Sequence, residues 1–261
     1  MASIGIREGM LTRSGPAFLE EARGLGFEAV ELDVGMDARR DPWGGAAGRA
    51  ALRATAERIG LALPSVCLGC LNRIPLAGAD AAKREEAAQL VRASLAWCHE
   101  LGADVVLIPF FGPAEMKSAA DHERLVAETR KLAPQAAAAG ITLGLESTLH
   151  ARTLLPLLDN IGAPNVGSYW DTGNSIWRGY DPAEEIELLG KHIVRVHLKD
   201  TWKNPSDRML GEGKVNFPKV AFQLARSGYR GPLILETPTQ PDPVAKAKAN
   251  LAFARGIFEE A

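Results

Sequence analysis

The chain has 261 residues, 46% of them hydrophobic and 24% charged, with a formal net charge of −2. It is long enough to bury a large core, and its charge gives no bulk attraction to phosphate backbones or anionic membranes. No apolar run approaches the ~18 residues that mark a membrane-spanning helix. The N-terminus, Met1-Ala-Ser-Ile-Gly-Ile, lacks the basic and long apolar regions of a secretory signal, and three cysteines argue against a disulfide framework. Cys67 and Cys70 have C-x-x-C spacing without a second pair, and read as small apolar residues. The expectation is a cytoplasmic protein with no nucleic-acid or membrane partner.

Strand-like runs bounded by glycine, proline or polar residues fall at 3–8, 27–34, 62–68, 104–111, 141–147, 166–172, 193–199 and 232–237. Most are short and apolar on both faces, the pattern of buried parallel strands. Between them lie helix-like stretches, among them 79–101 and 118–139. Gly60, Gly102, Gly140, Gly190 and Gly228 follow such stretches as helix stops. Asp181-Pro-Ala-Glu-Glu supplies a cap, a proline at the first helical position and acids in the first turn. Eight alternating units in about 250 residues predict an α/β fold, a (β/α)8 TIM barrel forming one domain over 1–261. A doubly wound sheet is the rival, but no G-x-G-x-x-G or P-loop follows any strand.

Four of the later runs end in a metal-binding side chain: Ile141-Thr-Leu-Gly-Leu-Glu146, Val166-Gly-Ser-Tyr-Trp-Asp171, Ile193-Val-Arg-Val-His197 and Pro232-Leu-Ile-Leu-Glu236. In a barrel, strand ends open into a common mouth, so Glu146, Asp171, His197 and Glu236 are expected to converge. Three carboxylates and an imidazole suit a hard or borderline divalent cation: manganese first, with magnesium, cobalt and zinc as alternatives. A single acid at a strand end is commonly a cap or loop residue; four in succession are harder to explain that way. His150 follows Glu146 by four residues and reads as solvent-facing.

Three stretches give the chain a resemblance to the sugar phosphate isomerase/epimerase branch of the xylose-isomerase-like barrels, nearest to pentulose-5-phosphate 3-epimerases. They are Val66-Cys-Leu-Gly-Cys-Leu-Asn72-Arg73, Val196-His197-Leu-Lys199-Asp200-Thr201 and Gly211-Glu212-Gly213-Lys-Val-Asn-Phe217, and the tail 227–236 continues the likeness. The resemblance implies that the four ligands hold manganese or a similar ion and that Glu146 and Glu236 double as the proton-transfer pair. It is also compatible with a homo-oligomer. Two departures separate the chain from free-ketose members: Arg152 stands where they carry a second glutamate, and Asn174 where they carry a histidine.

The implied reaction is epimerisation at C3 of a ketose or ketose phosphate, with one acid–base group on each face of the substrate. Candidates for substrate contacts are Glu8, Arg73, Asn174, Lys199 and Glu212. A phosphate terminus is expected at the Asp171–Ser175 turn, Lys199, the Gly211–Gly213 loop with Lys214, or Arg73; Asp33 joins Glu8 as a candidate for sugar hydroxyls. A 1,2-aldose–ketose isomerase and a keto-polyol dehydratase would use the same site. An endonuclease-IV-like nuclease needs further histidines after strands three and four, where this chain has Cys67-Leu-Gly-Cys70 and Pro109-Phe-Phe-Gly112. A non-catalytic sugar-binding protein is the remaining rival.

Overall fold

A computed structural model describes residues 3–37 and 42–259, so the ends of the 1–261 domain expectation lie outside the described residues. Eight parallel strands close into a barrel in chain order. They are β1 (Ile4–Arg7), β2 (Ala29–Asp33), β3 (Ala62–Cys67), β4 (Val105–Pro109), β5 (Thr142–Glu146), β6 (Val166–Asp171), β7 (Ile193–Leu198) and β8 (Leu233–Leu235). Every predicted strand is present, trimmed by one or more residues except at the starts of β3, β6 and β7. Closure decides against the open doubly wound sheet.

The outer ring comprises α1 (Gly15–Leu25), α2 (Gly45–Ile59), α3 (Ala81–Leu101), α4 (Ala119–Ala138), α5 (Ala151–Ile161), α6 (Thr172–Trp177), α7 (Pro182–Leu189), α8 (Phe217–Ser227) and α9 (Pro243–Phe258). The stop signals work as read: Gly60, Gly102 and Gly228 are left-handed C-caps with φ of 65°, 78° and 78°. Asp181 caps α7 by accepting the Ala183 amide, with Pro182 and two acids in the first turn. At α4, Ser118 and Asp121 form a reciprocal capping box.

Strand alternation sorts side chains into two populations. Val30, Leu32, Val66, Val106, Ile108, Leu143, Leu145, Trp170, Val196, Leu198, Leu233 and Leu235 belong to the large core under the helices. The opposite parity points inward. Some of these side chains are apolar, with Cys67, Val105, Leu107 and Tyr169 packed together. Others are charged: Arg7, Glu31, Asp33, Glu146, Asp171 and His197. Gly144 makes room for this filling, since a Cβ there would come within 3.1 Å of the Tyr169 ring and 3.3 Å of Val105. Burying so many charges is costly unless each finds a partner, and that requirement organises the site.

Candidate metal centre and substrate cavity

The register of β6 against β7 places Asp171 opposite His197. On β8 the partner of His197 is Ile234, and Glu236 follows two residues on, its amide donating to the Leu198 carbonyl at 3.1 Å. Glu146 ends β5. One acceptor atom from each of Glu146, Asp171, His197 and Glu236 lies within 4.8 Å of all the others. The barrel therefore brings together the four side chains that the sequence singled out.

His197 Nδ1 faces the cluster, 3.0 Å from Glu236 Oε2, 3.4 Å from Glu146 Oε1 and 3.8 Å from Asp171 Oδ2. Its Nε2 meets Glu31 Oε1 at 2.8 Å. If Nε2–H donates to Glu31, loss of the Nδ1 proton to an incoming ion would present that nitrogen's lone pair to it, the arrangement by which a carboxylate fixes the tautomer of a metal-binding histidine. Glu31 is fully buried and also accepts the hydroxyls of Ser65 (2.7 Å) and Tyr169. Replacing Glu31 with glutamine should weaken manganese binding about 10–100-fold, measured by titration calorimetry, with the melting temperature reporting whether the barrel is intact.

A cation already sits among the carboxylates. Lys199 Nζ is 2.8 Å from Asp171 Oδ2, 2.8 Å from Glu236 Oε2 and 3.7 Å from Glu146 Oε1. Arg7 joins from β1, its guanidinium 3.1 Å from Glu236 Oε1 and 2.6 Å from Asp33 Oδ2. Burial pushes the Glu236 carboxyl up, but Lys199, Arg7 and His197 outweigh it and hold the group well below the usual range. Burial also raises Asp171, and with Glu146 and Glu236 beside it the group reaches about 6 despite Lys199. His197 is driven the other way from its burial: Glu31, Glu146 and Glu236 raise it well above an ordinary imidazole.

These residues fit a divalent cation. The donor set is three carboxylate oxygens and one imidazole nitrogen, hard enough for manganese or magnesium and compatible with zinc or cobalt. Asp171 Oδ2 is buried and accepts no well-directed hydrogen bond. The Lys199 ammonium stands where positive charge offsets the three carboxylates.

Glu146, His197 and Glu236 of the cluster, with Lys199, line a cavity of about 270 Å³. Arg7, Asn72, Glu115, Thr148, Asn174 and Arg178 supply further polar walls, and Pro109, Phe111, Trp177 and Pro205 apolar ones. Of the expected substrate contacts, Asn174 and Lys199 line the cavity. The Asn174 amide points to Glu146 Oε1 at 3.4 Å. The other three stand elsewhere. Glu8 accepts the Asp33 amide and the Trp43 indole. Arg73 and Glu212 are exposed and outside the cavity lining. Arg152 pairs with Glu184 on the surface, and His150 caps α5.

The Gly211–Gly213 loop has a different use from the expected anion cradle. The buried Asp200 carboxylate accepts the amides of Gly211, Gly213, Val215 and Thr201 at 2.8–3.1 Å, consuming the donors that a phosphate would need. A Cβ on Gly213 would lie 2.1 Å from Asp200 Oδ1 and 2.6 Å from the Thr201 carbonyl. Gly213→Ala should therefore destabilise the protein by about 1–3 kcal/mol; an unchanged denaturation midpoint would show that the loop yields freely.

Sequence reasoning missed Arg7, Glu31, Glu115 and Arg178. A usable signal existed for Glu31: it shares parity with Asp33 in the otherwise apolar strand Ala29-Val-Glu31-Leu-Asp33.

Residues 19–257 match the model of the xylose isomerase-like TIM barrel family. The chain belongs to that family. This family member is 32% identical to the L-ribulose-5-phosphate 3-epimerase of Salmonella paratyphi A, over 99% of its own length and 98% of the relative's. It is 28% identical to the 2-epi-5-epi-valiolone 7-phosphate 2-epimerase of an Actinoplanes species, covering 97% and 93% of the two chains. Among solved structures it resembles D-psicose 3-epimerase from Clostridium cellulolyticum H10 crystallised with D-tagatose, with TM-score 0.84, 18% identity and coverage of 98% and 99%. An L-ribulose 3-epimerase gives TM-score 0.84 at 22% identity, covering 100% and 95%. At these identities the structural likeness speaks for the fold.

Proposed function

We propose that this enzyme inverts C3 of a ketose phosphate, using Glu146 and Glu236 as proton-transfer groups on opposite faces of the substrate. The observation that carries the reading is the placement of two glutamates of one metal-type cluster at the end of β5 and just past β8, with two strands between, in the lining of a single cavity. Two sequence relatives, each covered over nearly its whole length, are epimerases of phosphorylated polyhydroxy ketones, one named for position 3 of L-ribulose 5-phosphate and the other for position 2 of a valiolone 7-phosphate, which supports the same class.

The proton at C3 of a ketose is acidified by the neighbouring C2 carbonyl. A divalent ion held by Glu146, Asp171, His197 and Glu236 would supply Lewis-acid polarisation of that carbonyl and charge to balance the developing oxyanion. The chain's own residues do the rest. One glutamate takes the proton from one face while the other returns a proton to the opposite face, and the roles exchange in the reverse direction. Arg7 and Asn174 fix the orientation of the two carboxylates through Glu236 Oε1 and Glu146 Oε1. Phe111, Trp177 and Pro205 shield the reacting carbon from bulk water.

The test is incubation of manganese-loaded protein in deuterated water with a panel of ketoses and ketose phosphates. Deuterium at C3 with formation of the C3 epimer is expected. Deuterium at C1 or C2 instead would assign a 1,2-isomerase, and no exchange with any member would remove both readings.

A further inference from the structure

We propose that Arg178, at the rim of the cavity, receives the phosphate of the substrate, and that the Glu115 carboxylate holds its fork in position by standing where that phosphate binds. This inference rests on the epimerase reading and names the substrate class of the same site.

Elimination comes first. Arg7, Arg178 and Lys199 are the cationic side chains other than His197 that line the cavity among the described residues. Arg7 and Lys199 are consumed by neighbouring carboxylates. The Gly211 and Gly213 amides belong to Asp200, and the amide of Asn174 to Asp171. Arg178 is left as the cation in reach of a group at the open end.

Its surroundings are those of a prepared anion receptor. The guanidinium stacks on the Trp177 ring, 4.6 Å from the centroid, and one of its nitrogens donates to Thr148 Oγ1 at 2.8 Å and to Glu115 Oε1. Indole and hydroxyl hold a planar fork over the cavity, the geometry that recognises phosphate through paired N–H donors. Glu115 has a second partner in Lys117, 3.3 Å from its Oε2. It can therefore release Arg178 without losing all its compensation.

Glu146, Thr148 and Arg178 line the same cavity, Glu146 with the metal-type cluster and Arg178 beside Thr148 two residues past the end of β5. Pro109, Phe111 and Trp177 line the intervening wall.

The experiment compares L-ribulose 5-phosphate with L-ribulose on manganese-loaded protein, by titration calorimetry and by C3 exchange in deuterated water. Arg178→Gln should lose about 10–100-fold in affinity for the phosphate ester, seen as a raised KM more than a lowered kcat, and the ester-over-sugar preference should collapse with it. Arg178→Lys should recover part of the loss. Glu115→Gln, which removes a competing charge, should bind the ester about 2–5-fold more tightly. If Arg178→Gln does not fold, Thr148→Val carries the test, with an expected partial loss confined to the ester.

Equal losses for ester and sugar, or unaltered ester affinity in Arg178→Gln, would overturn the assignment. C3 exchange without ester preference in the wild type sinks the receptor and leaves the reaction. Selective, Arg178-dependent ester binding without exchange sinks the reaction and leaves the receptor. No binding of either compound overturns both.

Discussion

Glu146→Gln and Glu236→Gln are each expected to lower the rate of C3 inversion by about 10²–10⁴-fold, the usual worth of a positioned acid–base group. Glutamine keeps the shape and a carbonyl oxygen but cannot carry the proton. A two-base inversion gives each variant a distinct residual behaviour. The surviving glutamate still serves one face, so leftover deuterium uptake should be confined to one epimer, and to the opposite epimer in the other variant. Bound manganese has to be measured alongside, because both residues also belong to the ligand set. Full inversion by either variant, with metal content matched to wild type, would rule out the paired mechanism.

The second large effect concerns Lys199. Its ammonium is nearly buried and stands 2.8 Å from both Asp171 and Glu236, with burial opposing its charge and Asp171, Glu236 and Glu146 raising its pKa well above the ordinary lysine value. Removing one partner from such a cluster leaves uncompensated buried charge, at a cost of about 3–5 kcal/mol. Lys199→Met, after treatment with a chelator, should therefore melt about 6–20 °C below wild type treated the same way. Added manganese should restore the variant by a larger increment than it gives wild type, because the ion no longer competes with the ammonium for the same oxygens. If chelator-treated variant and wild type melt together, Lys199 contributes nothing to holding the carboxylates.

How much of this was legible in the chain depends on the kind of signal. Glu146, Asp171, His197 and Glu236 stood out because each ends a short apolar run, and barrel closure converts that shared position into proximity. Glu31 was hidden by lying mid-strand, where an acid reads as a solvent-facing residue until the strand is known to be buried on both faces. Asp200 was part of a recognised motif, yet nothing local reveals that it fills the Gly211–Gly213 loop fifteen residues or fewer downstream. That loop's glycines resembled an anion site because the same backbone permissiveness serves both purposes. Arg178 follows a short helix and looks like a surface arginine. Its partner Glu115 lies 63 residues earlier in sequence, so only the fold brings the pair to one rim.

The most direct measurement is anomalous diffraction at the manganese edge from crystals soaked in that ion. The expected result is a single strong peak with Glu146, Asp171, Glu236 and Nδ1 of His197 each about 2.0–2.4 Å away, and the Lys199 ammonium withdrawn from the oxygens it now approaches. A peak elsewhere in the molecule, or none while Lys199 keeps its place between Asp171 and Glu236, would contradict a cation-centred site and the chemistry built on it.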